Sequence, residues 1–134
     1  MTMSVAALLA AAALAAQGAG DPKTILGTWR GTSTCTDRVA APACNDETVV
    51  YVMTPGAQPG TVHWLADKIV GGQRVTMGEF ELTFDAADAR WETTFTNPRV
   101  TVEWWLTVDG SAMTGGARLM PGKQIVRRVD LKKD

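Results

Sequence analysis

The sequence predicts an all-β domain, an eight-stranded antiparallel up-and-down barrel, with a two-layer β-sandwich as the alternative. Three observations carry this. Short runs rich in β-branched and aromatic residues recur about every eight to twelve residues, the spacing of hairpin-connected strands. Gly, Pro, Asn and Asp clusters separate the runs. Within each run the apolar residues alternate with polar ones, as a strand with one dry and one wet face requires.

The order of elements begins with a segment set apart by composition. Ser4 to Gly20 has no charged side chain, is mostly Ala with Leu8, Leu9 and Leu14, and ends in small residues before Asp21. This is the pattern of an apolar secretion segment with a cleavage zone, although no Lys or Arg precedes it. Residues 1–20 are expected to be a signal peptide and residues 21–134 a single domain, secreted or periplasmic. No Cys stands at the cleavage zone, so neither a lipid anchor nor membrane association is expected of the processed chain.

Asp21-Pro22 offers an N-cap followed by Pro at the first helical position, predicting one helical turn through Leu26. Strands are then expected at Gly27 to Thr36, Glu47 to Thr54, Thr61 to Lys68, Arg74 to Asp85, Arg90 to Thr96, Arg99 to Val108, Ser111 to Leu119 and Gln124 to Lys132. Gly71-Gly72, Asn97-Pro98, Asp109-Gly110 and Pro121-Gly122 supply turn conformations between them. Asp85-Ala86-Ala87-Asp88 is a weaker turn, or a local acidic cluster for calcium that lacks further oxygen ligands.

Strand parity assigns the faces. Val100, Val102, Trp104, Leu106 and Val108 share one face and Glu103 and Trp105 the other. Phe80, Leu82 and Phe84 oppose Glu79 and Glu81; Val62, Trp64 and Ala66 oppose His63. Trp91 and Phe95 fall together. Ile125, Arg127, Val129 and Leu131 share the inward face of the last run. Short links favour a closed barrel over a sandwich, whose Greek keys need a long crossover.

The chain has two cysteines, Cys35 and Cys44. Behind a secretion signal an even count reads as a disulfide, which would close a loop of roughly ten residues and contribute about 2.5–3 kcal/mol. With a single His, the pair cannot complete a tetrahedral zinc site, and no metal or cofactor is expected. The net charge of −1 gives no footprint for nucleic acid or a membrane surface.

Catalytic groups are scarce, and no enzyme is expected. His63 points outward without partners for a triad, metal site or haem. Glu79 and Glu81 share a wet face rather than a cleft. Ser4, Ser33 and Ser111 lie outside any nucleophile elbow. The aromatic content is more suggestive, because five Trp exceed what a barrel floor needs. Trp64, Trp91 and Trp104, with Phe80, Phe95 and Met113, would either fill a solid core or wall a cavity opposite the small Gly115 and Ala117. Trp105, with Tyr51 on an apolar stripe of the second strand, would form an outer patch for a homodimer or protein partner.

Gly27-Thr28-Trp29, preceded by the helical turn, resembles the Gly-x-Trp entrance of the lipocalins and the wider calycin superfamily. The resemblance covers the two ends of the chain. It implies that Trp29 sits at the closed end of a barrel with an Arg of the last strand across its ring, and Arg127 is the inward-facing candidate for this floor pair. It further implies that a small apolar or amphipathic molecule is held inside. The chain is also similar to small periplasmic inhibitors of metalloproteases, eight-stranded barrels with one disulfide, although their N-terminal inhibitory trunk has no evident counterpart. That likeness implies a protein-binding or inhibitory module acting through its outer surface or loops.

Overall fold

A computed structural model of the chain describes residues 18–134; most of the expected signal segment, residues 1–17, lies outside the described residues. A 3-10 turn, Pro22–Thr24, leads into the strands. Asp21 caps it by accepting from the Lys23 amide at 3.0 Å. The strands are β1 (Gly27–Cys35), β2 (Glu47–Pro55), β3 (Val62–Val70), β4 (Gln73–Asp85), β5 (Arg90–Thr96), β6 (Thr101–Asp109), β7 (Ala112–Met120) and β8 (Gln124–Lys133). Each pairs antiparallel with the next, and β8 returns to β1 to close a barrel in sequence order. The two-layer alternative is excluded by that last pairing, which runs from Trp29 opposite Lys133 to Cys35 opposite Arg127.

Closure depends on close approach at the β1–β8 seam. Gly31 lies opposite Leu131, and a Cβ at Gly31 would collide with the Asp130 carbonyl of β8. Glycine at this position lets the two backbones meet. With the seam paired the barrel is closed, although β4 and β5 pair only over Thr83–Asp85 and Arg90–Glu92 and separate beyond them; outside two bulges, alternate residues of each strand face inward.

One end of the cylinder is shut. Trp29 is completely buried there and donates its indole N–H to the Ile25 carbonyl at 2.8 Å, so the 3-10 turn lies across the opening. Val62, Leu82, Leu106, Met113 and Leu131 pack around it with essentially no exposure. The cation expected over the Trp29 ring is Lys133, with Nζ 5.6 Å from the ring centre, and not Arg127. The register explains the correction, because Arg127 stands opposite Cys35 at the far end of β1. Gly27 has φ of 124°, and a Cβ there would press on Lys133 Cε at 2.9 Å. Glycine thus serves both the turn into β1 and the seating of Lys133.

Two irregularities shift the face assignments. Between β7 and β8 the register slips at Ala117/Arg118, so that Arg127 opposes Ala117 while Ile125 opposes Arg118. Val126 is the extra residue and turns inward, buried, whereas Ile125 is 46% exposed, the reverse of the inward Ile125 expected. A second slip between β3 and β4 leaves Met77 unpaired between Thr76 and Gly78. Bulges re-aim the side chains next to them, and both lie in the half of the barrel away from Trp29.

Replacing Gly31 with Ala is expected to cost about 3 kcal/mol or more, because the clash is with backbone that cannot rotate away. Urea unfolding should show the midpoint falling by about 2 M. A loss below about 1 kcal/mol would mean that the seam is not as tight as described.

Candidate functional site

The end opposite Trp29 is ringed by loop 36–46 and by the turns at 71–72, 97–100 and 121–123. Below this rim the inward positions of β3 to β8 form an open cup. Its outer part, about 300 Å³, is lined by Met77, Phe80, Phe95, Val102, Trp104, Ala117, Val126 and Arg127. A tighter recess of about 110 Å³ is bordered by Ser33, Glu47, Tyr51, Trp64 and Ala66, and shares Met77, Phe80, Trp104 and Arg127 with the outer part.

Side-chain size makes the space. Ala66 and Gly78 oppose each other on β3 and β4, and Ala117 opposes Trp104 across β6 and β7. A Cβ at Gly78 would stand 2.9 Å from Phe80 Cζ, so the Phe80 ring folds back over its own strand because position 78 is bare. The rings that remain meet edge to face or tilted: Trp64 with Phe80 at 5.0 Å, with Trp104 at 5.5 Å and with Tyr51 at 4.9 Å, and Phe80 with Phe95 at 6.4 Å. These are the separations favoured by aromatic quadrupoles.

One wall is polar. Arg127 donates to Ser33 Oγ at 3.0 Å and to the Asn45 carbonyl at 3.0 Å, and its Nη2 lies 3.5 Å from Glu47 Oε1. The two charged side chains are only 16% and 15% exposed, so their attraction is less screened than at an open surface. The disulfide Cys35–Cys44 closes loop 36–46 as expected. Asp46 ties it down by accepting from the Cys35 amide at 2.8 Å and from Arg38 at 3.3 Å. Loop residue Asn45 is thereby held where Arg127 can reach it. The buried indole N–H of Trp64 has no partner, a condition that costs about 1–3 kcal/mol.

The expected cavity residues divide by height in the barrel. Trp64, Trp104, Phe80 and Phe95 border the cup. Trp91 and Met113 do face inward, but in the shut half; both are buried, and Trp91 packs on Phe84 at 5.2 Å. Parity gives a residue's face and says nothing of its level along the axis. The cup residues not singled out from sequence are Met77 and Val126, both beside bulges, and Ser33 and Glu47, which the polar pattern had assigned no role.

The proposed outer patch loses one of its members. Tyr51 points into the barrel and is buried, its hydroxyl beside Ser33. Trp105 is on the outer face, lying over Gly116, with the Arg118 and Arg90 guanidinium carbons 5.2 and 5.5 Å from its ring centre. His63 is also outside, 3.2 Å from Glu79 and 3.8 Å from Glu81. Glu81 accepts from Thr61 Oγ1 and the Ala57 amide, both at 2.7 Å, and these bonds lower its pKa. Asp85, Asp88 and Glu92 converge, but Arg90 is paired with two of them, Glu92 at 2.6 Å and Asp88 at 3.7 Å.

No family model, no curated protein and no solved structure matches this chain. The chemistry of the cup is the ground on which a function rests.

Burial pushes the Tyr51 phenol well above its ordinary pKa, which is about 10. The fold favours the neutral form, so this contribution to stability is complete below the ordinary value and is lost as pH rises through the raised one. Tyr51 is the single tyrosine. Absorbance at the tyrosinate band is expected to rise only above pH about 11 and together with unfolding. A step centred near the ordinary value in folded protein would place Tyr51 in water.

Proposed function

We propose that this domain is a secreted, lipocalin-like binding protein that holds one small apolar or amphipathic molecule in the open half of its barrel. The observation that carries the reading is the apolar lining kept open to water: Phe95 and Met77 are 42% and 41% exposed at the mouth of a concavity walled by Phe80, Val102 and Trp104. Apolar surface arranged concavely, with a few convergent polar groups, is the usual form of a small-molecule site, and about 300 Å³ lies at the small end of such sites.

Secretion is supported by the disulfide, which persists in oxidising compartments, and by the uncharged segment before Asp21. Among the described residues no helix is long and apolar enough to cross a membrane. The likeness to lipocalins is supported by the 3-10 turn leading into Gly27-Thr28-Trp29 and by a last-strand cation over the Trp29 ring, although that cation is Lys133. Binding is favoured over catalysis because the polar groups at the cup, Arg127, Glu47 and Ser33, are occupied with one another. The surface-acting alternative has less to support it, since Tyr51 is inside and Trp105 is covered by two arginines.

The neutral fluorophore N-phenyl-1-naphthylamine is expected to bind with a blue shift and enhanced emission. Phe95→Asp should weaken it about tenfold or more, equivalent to about 1.4 kcal/mol, while Trp105→Ala on the outer face leaves it within about twofold. The reading is overturned if the probe does not bind, or if only the Trp105 variant loses it.

A further inference from the structure

We infer that the open rim of the barrel docks on an anionic lipid surface, so that the mouth of the cup faces lipid while the protein is bound. The inference stands on the rim and goes beyond the reading above, since docking does not depend on what the cup holds.

The first observation is where the exposed apolar residues lie. Among the described residues, the large hydrophobic side chains left exposed are Val39, Val70, Val75, Met77, Phe95 and Ile125. Chain order puts every one of them at the same end: Val39 in loop 36–46, Val70 at the end of β3, Val75 and Met77 in the first half of β4, Phe95 near the end of β5 and Ile125 near the start of β8. None stands at the Trp29 end. Scattered exposed hydrophobics are ordinary, but their segregation to one end marks a surface that meets something apolar. Val39 is 95% exposed and heads the stretch Val39-Ala40-Ala41-Pro42-Ala43, which has no polar side chain. The loop is held in this shape. The disulfide closes it, and Asp37 accepts from the amides of Val39 at 3.1 Å and Ala40 at 2.9 Å.

The second observation is charge. The net charge of −1 is divided unevenly along the barrel axis. At the rim, residues 36–46, 69–74, 97–100 and 121–123 carry Arg38, Arg74, Arg99 and Lys123 against Asp37 and Asp46. The segments at the shut end, residues 18–26, 56–61, 85–90, 109–111 and 133–134, carry five carboxylates against three cations. Arg38 pairs with Asp46 and Arg74 with Asp67, which leaves Arg99 and Lys123 without a carboxylate partner among the described residues. An anionic surface attracts the rim and repels the shut end, and so turns the mouth toward the lipid. The third observation is shape. The apolar side chains ring an opening instead of covering a flat patch, and Val75, Met77 and Phe95 stand along the split where β4 and β5 part. A protein partner would span empty space at the centre, where the strongest contacts of an interface normally sit. Lipid is fluid and follows the ring, taking apolar side chains below the headgroups and cations at the phosphates.

The test is co-sedimentation of the exported protein with sucrose-loaded vesicles of phosphatidylglycerol or of phosphatidylcholine. Binding to phosphatidylglycerol should be at least tenfold tighter than to phosphatidylcholine, and should weaken at least tenfold between about 0.1 and about 0.5 M NaCl as the charges are screened. Arg99→Glu combined with Lys123→Glu should weaken it about tenfold or more, and Val39→Asp about fivefold or more; these side chains are on the surface, so the fold is not at stake. Lys23→Glu at the shut end should stay within about twofold. No binding to phosphatidylglycerol, equal binding to both lipids, or rim variants that lose no more than Lys23→Glu would each overturn the inference. Sedimentation equilibrium without vesicles provides a further check: a monomer is expected, and a dimer abolished by Val39→Asp would assign the rim to a second copy of the chain and overturn docking on lipid. N-Phenyl-1-naphthylamine binding should be unchanged within about twofold in Val39→Asp. If the probe fails to bind any of the proteins while the vesicle results hold, the cup reading falls and the docking surface stands; the opposite outcome removes docking alone.

Discussion

An eight-stranded cylinder encloses a space just wide enough for its own side chains to fill, and everything distinctive about this domain follows from how that space is shared out. Closure of β8 onto β1 across Gly31 fixes which residues point inward. At the Trp29 end those residues are large, and the interior is solid. At the other end Ala66, Gly78 and Ala117 occupy inward positions beside Trp64, Phe80 and Trp104, and the large rings alone do not fill the section. The shut half supplies the hydrophobic stabilisation of a single core, which leaves the open half free to keep apolar surface in contact with water.

The polar wall belongs to the same arrangement. Arg127 reaches the cup because the β8 bulge turns Val126 and Arg127 inward in succession. Its partners Ser33, Asn45 and Glu47 come from the end of β1, from the disulfide-closed loop and from the start of β2. A bridge between Cys35 and Cys44 thus does more than restrict the unfolded chain: it fixes the segment that satisfies a half-buried guanidinium. Burying a charge without such partners would be costly, so loop, bulge and ion pair stand or fall together.

Much of this architecture was legible in the sequence, and the misreadings have local causes. All eight strands, the turn before Gly27 and the disulfide could be read from periodicity and turn chemistry, with boundaries off by a residue or two. Parity places Trp104 and Trp105 on the correct faces, since β6 has one face with a continuous apolar series, and Trp64 on the correct face with Val62 and Ala66 of β3. It misplaced Tyr51 because both faces of β2 are apolar: Val50 is buried on the outside, next to Asp67, which Arg74 and Thr76 cover. It misplaced Ile125 because a bulge is invisible to a strict two-residue period. The resemblance sets Arg127 against Trp29, whereas the register between the first and last strands, which cannot be read from either strand alone, puts Lys133 there. Trp91 and Met113 share the inward parity of the cavity residues yet lie in the shut half, because periodicity carries no axial coordinate.

The most direct measurement of the half-filled barrel is intermolecular nuclear Overhauser contact between bound N-phenyl-1-naphthylamine and assigned methyl groups. Contacts are expected to Met77, Val102, Ala117 and Val126 at the mouth, with none to Leu82, Leu106 or Met113 in the shut half. Contacts to those deep methyls, or only to outer-face groups such as Ile125, would contradict the division of the barrel into a packed floor and an open cup.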